Sequence, residues 1–220
     1  MRTLRTFLAA VLLFGATLVQ AAPPADPVFD AELLAIQQAW ARANYEAPAG
    51  DAREAAFDAL QKRAGAFARQ HPGRAEPKIW AGIVASSYAG AKGGLGALSL
   101  AKEARADLEA ALKIDPTALD GSAYTSLGTL YYKVPGFPLG FGDDDKAREL
   151  LGQALKLNPD GIDPNYFFGE FLCDEDDPRG GLQHLDKALK AAPRPGREVA
   201  DEGRRGEIRA LITRCRAELD

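Results

Sequence analysis

The chain has 220 residues, 46% of them hydrophobic, with 31 acidic against 27 basic side chains and a formal net charge of −4. That length suffices for one domain with its own core, and the mildly acidic balance argues against a nucleic-acid binder. Two cysteines and two histidines match no metal-ligand spacing, which argues against a structural metal site.

The first residues read as a secretory signal. Arg2 and Arg5 form a basic start, Phe7 to Val19 is an apolar run, and Val19-Gln20-Ala21 gives a small-x-small cleavage site before Ala22. The run is too short, and too closely followed by Ala-Ala-Pro-Pro, to span a bilayer. No cysteine follows the cleavage site, so a lipoprotein is not indicated, and no second hydrophobic segment follows. We therefore expect a signal peptide over 1–21, a stiff leader over 22–27 and one domain over 28–220, exported, soluble and periplasmic. Loss of the two signal arginines takes the formal charge from −4 to −6.

Residues 28–46 and 51–70 have helical composition and are broken by Pro48-Ala49-Gly50. Asp51 reads as an N-cap with Glu54 three positions on. Residues 77–90 carry Trp80, Val84 and Tyr88 on one stripe, and 97–114 carry Ala97, Ala101, Ala104, Leu108, Ala111 and Leu112. Residues 120–133 supply Tyr124, Leu127, Tyr131 and Tyr132. The clearest stripe lies over 143–157, where Ala147, Leu150, Leu151, Ala154 and Leu155 follow i, i+3, i+4, i+7, i+8 spacing. Asp163-Pro164 and Asp177-Pro178 read as further helix starts. A closing helix over 198–219 places Ile208, Leu211, Ile212, Cys215 and Leu219 on one side and charges on the other, as expected of a terminal cap. No stretch alternates apolar and polar residues, so the chain is all-α.

Three helix ends close alike: Ala-Leu-Lys-Ile-Asp-Pro (111–116), Ala-Leu-Lys-Leu-Asn-Pro (154–159) and Ala-Leu-Lys-Ala-Ala-Pro (188–193), with a degenerate copy at His71-Pro72. The prolines at 72, 116, 159 and 193 fall 44, 43 and 34 residues apart. A period of about 34 residues belongs to helix–turn–helix repeats of the tetratricopeptide type. Ala81-Gly82, Leu127-Gly128 and Phe168-Gly169 keep the same register, 10 to 12 residues after each proline. The units then run over 28–72, 73–116, 117–159 and 160–193, four helix pairs followed by the cap. The second and third units carry surplus residues, seen in Ala89 to Gly96 and Lys133 to Gly142, which are expected to emerge on one edge.

The chemistry-like motifs have simpler readings. Gly142-Asp143-Asp144-Asp145-Lys146 lacks the alternating ligands of a calcium loop and reads as a helix cap. Gly93-Gly94-Leu95-Gly96 has no preceding strand and no Gly-Lys-Ser/Thr, so no phosphate cradle is expected. Ser86, Ser87, Ser99, Ser122 and Ser126 lack a nucleophile context. No acid–base pair with a nucleophile can be assembled, so neither enzyme activity nor a cofactor is expected. Aromatic residues are the better candidates for partner or ligand contact: Trp80, Tyr88, Tyr124, Tyr131, Tyr132, Phe137, Phe141 and Tyr166. Phe137 and Phe141 sit in the Pro-Gly-rich insertion and either tuck back over the stack or line a pocket. Cys173 and Cys215 either form a disulfide in an exported chain or pack as small apolar thiols. Arg194, Arg197, Arg204, Arg205 and Arg209, interspersed with Asp201, Glu202 and Glu207, read as a solvated mixed face and as the first place to test for an acidic partner.

These repeat ends, Leu127-Gly128-x-x-Tyr131 and the 24-residue unit from Gly169 to Pro193 resemble bacterial exported tetratricopeptide-repeat proteins over about residues 72–193. Tyr131 to Gly136, Gly140 to Ala147 and Asn158 to Gly161 also resemble the T-component of tripartite ATP-independent periplasmic (TRAP) transporters. The first resemblance implies a TPR-like α-solenoid acting as a protein–protein adaptor. The second implies association with a solute-binding subunit and an apolar small-molecule cavity, for which Tyr131, Phe137 and Phe141 would supply the wall.

Overall fold

The computed structural model describes residues 26–219. The expected signal peptide and most of the leader lie outside that span. Among the described residues nine helices follow in chain order: α1 (Pro27–Tyr45), α2 (Asp51–Gln70), α3 (Ala75–Lys92), α4 (Gly94–Ile114), α5 (Ala118–Lys133), α6 (Asp144–Leu157), α7 (Ile162–Asp174), α8 (Pro178–Leu189) and α9 (Glu198–Ala217). The described residues contain no strand, only an isolated bridge between Gly136 and Gly142.

Helices pair as α1–α2, α3–α4, α5–α6 and α7–α8, and the prolines at 72, 116, 159 and 193 stand in the connections after each pair. Neighbouring pairs stack, and the first helices α1, α3, α5 and α7 touch one another in succession to form an inner layer. The reason is local. Gly82, Gly128 and Gly169 lie in the middle of inner helices, where an added Cβ would come 2.7, 2.8 and 2.9 Å from Leu108, Leu151 and Leu185 of the paired outer helix. One small residue opposite one leucine is thus the repeated packing unit. The core is correspondingly a row of clusters, from Phe29, Ile36, Phe57 and Val84 at one end, through Ile79, Leu108 and Leu127, to Leu185, Ile208 and Cys215 at the other. Each pair buries its apolar face against the pairs stacked beside it, as a solenoid requires.

Caps follow the acidic residues in three places. Asp26, Asp143 and Asp177 accept backbone N–H bonds from Phe29, Lys146 and Gly180. Asp51 and Asp163 depart from expectation. Gly50, at φ +85°, precedes α2, and Asp51 is already in its first turn. Gly161 precedes α7, which leaves the Asp163 side chain free to turn inward.

The two surplus segments do not emerge together. Ala89 to Gly96 forms no projecting loop, because α3 and α4 are separated by Gly93 alone. Gly93 and Gly94 reverse the chain at φ +63° and +58°, so the extra residues go into helix length, 18 and 21 residues against 13 and 12 in α7 and α8. Residues 134–143 do form a loop, since Pro135 and Pro138 cannot continue α5.

The closing helix is more than a cap. It packs on α7 and α8 as expected, and also on α1. The Gln38 side chain donates to the Gly196 carbonyl, and the Tyr45 hydroxyl donates to Glu207. Gly203 is seated against the Tyr45 ring so closely that a Cβ would clash with it. The stack therefore curls until its two ends meet, and its inner face forms a cup closed by the α1–α9 seam. Cys173 and Cys215 are joined, with Cα atoms 5.9 Å apart, tying α9 to α7.

Candidate binding cup

Two adjoining cavities of about 110 and 530 Å³ lie against the inner layer and share Trp80, Ser122, Thr125, Asp163, Arg194 and Arg197 in their walls. Helix α5 supplies hydroxyls at Ser122, Thr125, Ser126 and Thr129, and α3 adds Ser86 and Ser87. Trp40 of α1, Trp80 of α3 and Phe167 of α7 provide rings. Asp163, Arg194, Arg197 and Arg204 bring charge from α7, the α8–α9 connection and α9.

Most of that charge is spent on the seam. Asp163 accepts from Arg194 Nη1 at 2.6 Å and from Arg204 Nε at 3.0 Å. Asp201, only 2% exposed, accepts from the Arg194 backbone N–H and Nε, each at 2.8 Å. Arg204 donates to Glu207 at 2.6 Å and lies over the rings of Tyr166 and Phe167, 4.4 and 4.5 Å from their centroids. Burial alone would raise the Asp163 carboxyl, but the Arg194 and Arg204 guanidiniums outweigh it and hold it well below the carboxylate range. Burial likewise raises the Tyr45 and Tyr166 hydroxyls above their ordinary value. The expected solvated mixed face is corrected in part: Arg204 is buried against Asp163, Tyr166 and Phe167 of α7 and Asp201 beneath Arg194, while Arg209 and Glu202 stay in solvent as expected.

Arg197 is different. It takes part in no ion pair with a carboxylate among the described residues, and its Nη1 donates to Gln37 Oε1 at 3.5 Å. Its buried Nε–H has no partner among them either. Its guanidinium lies over the Trp80 ring, 5.1 Å from the centroid. Burial, and then the positive charge of Arg194, push its pKa down to about 10. The two indoles make a similar contrast. Trp40 Nε1–H donates to Ser87 Oγ at 2.8 Å, whereas Trp80 Nε1–H, on a residue 4% exposed, has no acceptor among the described residues. The two orphaned donors therefore belong to residues that line one cup.

Of the eight aromatic candidates, Trp80 alone lines the cup. Tyr166 is buried beneath Arg204. Tyr88 is buried in the α1–α2–α3 core, and Tyr124 packs on the next cluster. Tyr132 hydrogen-bonds Glu170, with Lys133 over its ring. Phe141 packs edge-on against Tyr131, 5.7 Å between centroids, under the Arg105 guanidinium. Phe137 points away, 93% exposed, beside Leu139 at 74%. The cavity wall expected from Tyr131, Phe137 and Phe141 is therefore not formed, because one ring tucks back and the other projects. Sequence reasoning missed the α5 hydroxyls, although Ser122, Thr125, Ser126 and Thr129 stand at i, i+3, i+4, i+7. A polar stripe was legible by the same period that marks apolar ones.

No protein-family model matches the chain, and no curated protein matches it. Solved structures do match. TTC0263, described as a thermophilic TPR protein in Thermus thermophilus, aligns with a TM-score of 0.55 at 15% identity, over 84% of this chain and 99% of that one. MamA aligns with a TM-score of 0.45 at 17% identity, over 74% and 89%. The likeness to TTC0263 is one of fold, and with the helix pairing above it makes this chain an all-α, TPR-like solenoid.

Proposed function

We propose that this is a non-catalytic, exported helical-repeat adaptor that holds a polypeptide partner through its α5–α6 loop. The observation that carries the reading is the loop tip. Phe137 and Leu139 are exposed on a backbone pinned by Gly142 N–H to the Pro135 carbonyl at 3.0 Å and by Asp143 N–H to the Tyr131 carbonyl at 2.9 Å. A Cβ at Gly140 or Gly142 would collide with the Val134–Pro135 backbone, so the loop is folded tightly on itself. A rigid ring and leucine held in water cost little to desolvate on binding and lose little entropy, which suits them as anchors in a partner's apolar socket. Repeat solenoids offer extended surfaces around such anchors. Export rests on the basic start, apolar run and cleavage site of residues 1–21. None of the described helices is long and apolar enough to cross a membrane.

The test is capture of partners from a periplasmic extract by wild type and by the Phe137→Ser/Leu139→Ser variant, followed by affinity measurement on any captured polypeptide. Loss of two anchors should weaken binding by roughly thirtyfold, about 2 kcal/mol, while helicity by circular dichroism is unchanged. Equal affinity in both would remove the loop from the interface.

A further inference from the structure

We propose that the cup is a binding site for a small organic monocarboxylate, received by the Arg197 guanidinium and the Trp80 indole N–H. The site is built rather than accidental. Two donors on different elements, Nε of Arg197 and Nε1 of Trp80, belong to residues that line the same cavity and have no acceptor among the described residues, whereas Nε of Arg194, Nε of Arg204 and Nε1 of Trp40 in the same wall are all bonded. Buried donors left without acceptors are costly, so an absent acceptor is the economical explanation of both.

Charge selects the class of ligand. Asp163, Asp201 and Glu207 are each held directly by Arg194 or Arg204, whereas Arg197 has no carboxylate at ion-pair distance among the described residues, so it is the seam guanidinium whose donors remain for a further acceptor. Three guanidiniums against three carboxylates leave the seam with no net positive charge, so a singly charged acid is accommodated there at less electrostatic cost than a phosphate dianion. The planar guanidinium, laid on the Trp80 ring, offers the forked geometry that a carboxylate accepts. The remaining wall states what else the ligand carries. The α5 hydroxyls of Ser122, Thr125 and Ser126 can exchange hydrogen bonds with hydroxyl or keto groups, and Trp40 and Phe167 cover a short apolar part. The adjoining spaces of about 110 and 530 Å³ admit a compact acid. The site is separate from the α5–α6 loop, so it stands whether or not that loop docks a partner.

The experiment is calorimetric and thermal-shift titration of the full mature chain with lactate, benzoate and an N-acetylated tripeptide. Chloride and inorganic phosphate at matched ionic strength serve as controls. Wild type is compared with Arg197→Gln, with Trp80→Phe, which keeps a ring and removes the N–H, and with Phe137→Ser/Leu139→Ser. The expected result is saturable binding of lactate or benzoate, weakened at least tenfold in Arg197→Gln and about threefold to tenfold in Trp80→Phe. The loop variant should bind like wild type. No saturable binding of either acid up to about 10 mM, an equal response to phosphate, or affinity untouched by both cup variants would overturn the proposal. Tighter binding of the tripeptide than of either free acid would reassign the cup to a chain-borne carboxylate.

Discussion

The α1–α9 seam buries charge, while the α5–α6 loop exposes rings. At the seam Asp201 and Arg204 are 2% and 7% exposed; at the loop tip Phe137 and Leu139 are 93% and 74% exposed. Each reverses the ordinary distribution of side chains, and such reversals are the informative ones. The seam reversal follows from closure. Once α9 is packed against α1, α7 and α8, its Asp201 and Arg204 are shut away from water, and that is tolerable only because every carboxylate there has a guanidinium. The loop reversal has no such internal compensation, which is why its explanation is sought outside the molecule. A buried ion network adds little net stability over an apolar seam but penalises any misalignment heavily, so it fixes where the two ends meet.

That contrast can be broken experimentally at both ends. The largest effect is expected from removing the disulfide with Cys173→Ser/Cys215→Ser. It closes a separation of 42 residues and holds the far side of α9, so its loss should cost about 4 kcal/mol on the chain-entropy account, read as a lower urea midpoint. Next is Asp201→Ala, which strips the Arg194 backbone N–H and Nε of their acceptor. A stranded group in a buried network costs about 3 kcal/mol, the low end because Arg194 keeps Asp163. If Asp201→Ala unfolds at the wild-type midpoint, the seam is not what holds the ends together. The smallest effect is expected at the loop. Phe137→Ser/Leu139→Ser should shift stability by about 0.5 kcal/mol or less, since neither side chain is buried. A large loss would mean that the loop serves the fold, and would sharpen the contrast out of existence.

The helix pairs were legible before the structure, because proline and glycine spacing acts through local rules. Pro116 and Pro159 end helices wherever they stand, and Gly82, Gly128 and Gly169 recur where one leucine must fit. The two glycine-rich surpluses looked equivalent and were not. Gly93-Gly94 needs only two residues of positive φ to turn, whereas Pro135 and Pro138 force a loop. Asp163 shows the limit of local reasoning more sharply. As a residue before proline it reads as a cap, yet its partners are Arg194 and Arg204, 31 and 41 residues away.

Sequence by itself determined the helical class, the pairing and the register, since each depends on groups within one repeat. Tertiary structure alone decided that the stack closes, that α9 is shared between its two ends, and that Arg197 and Trp80, which line one cavity, both keep unanswered donors. Those outcomes depend on curvature summed over four pairs and on contacts such as Gln38 to Gly196, 158 residues apart. No periodicity within a repeat carries information over that distance.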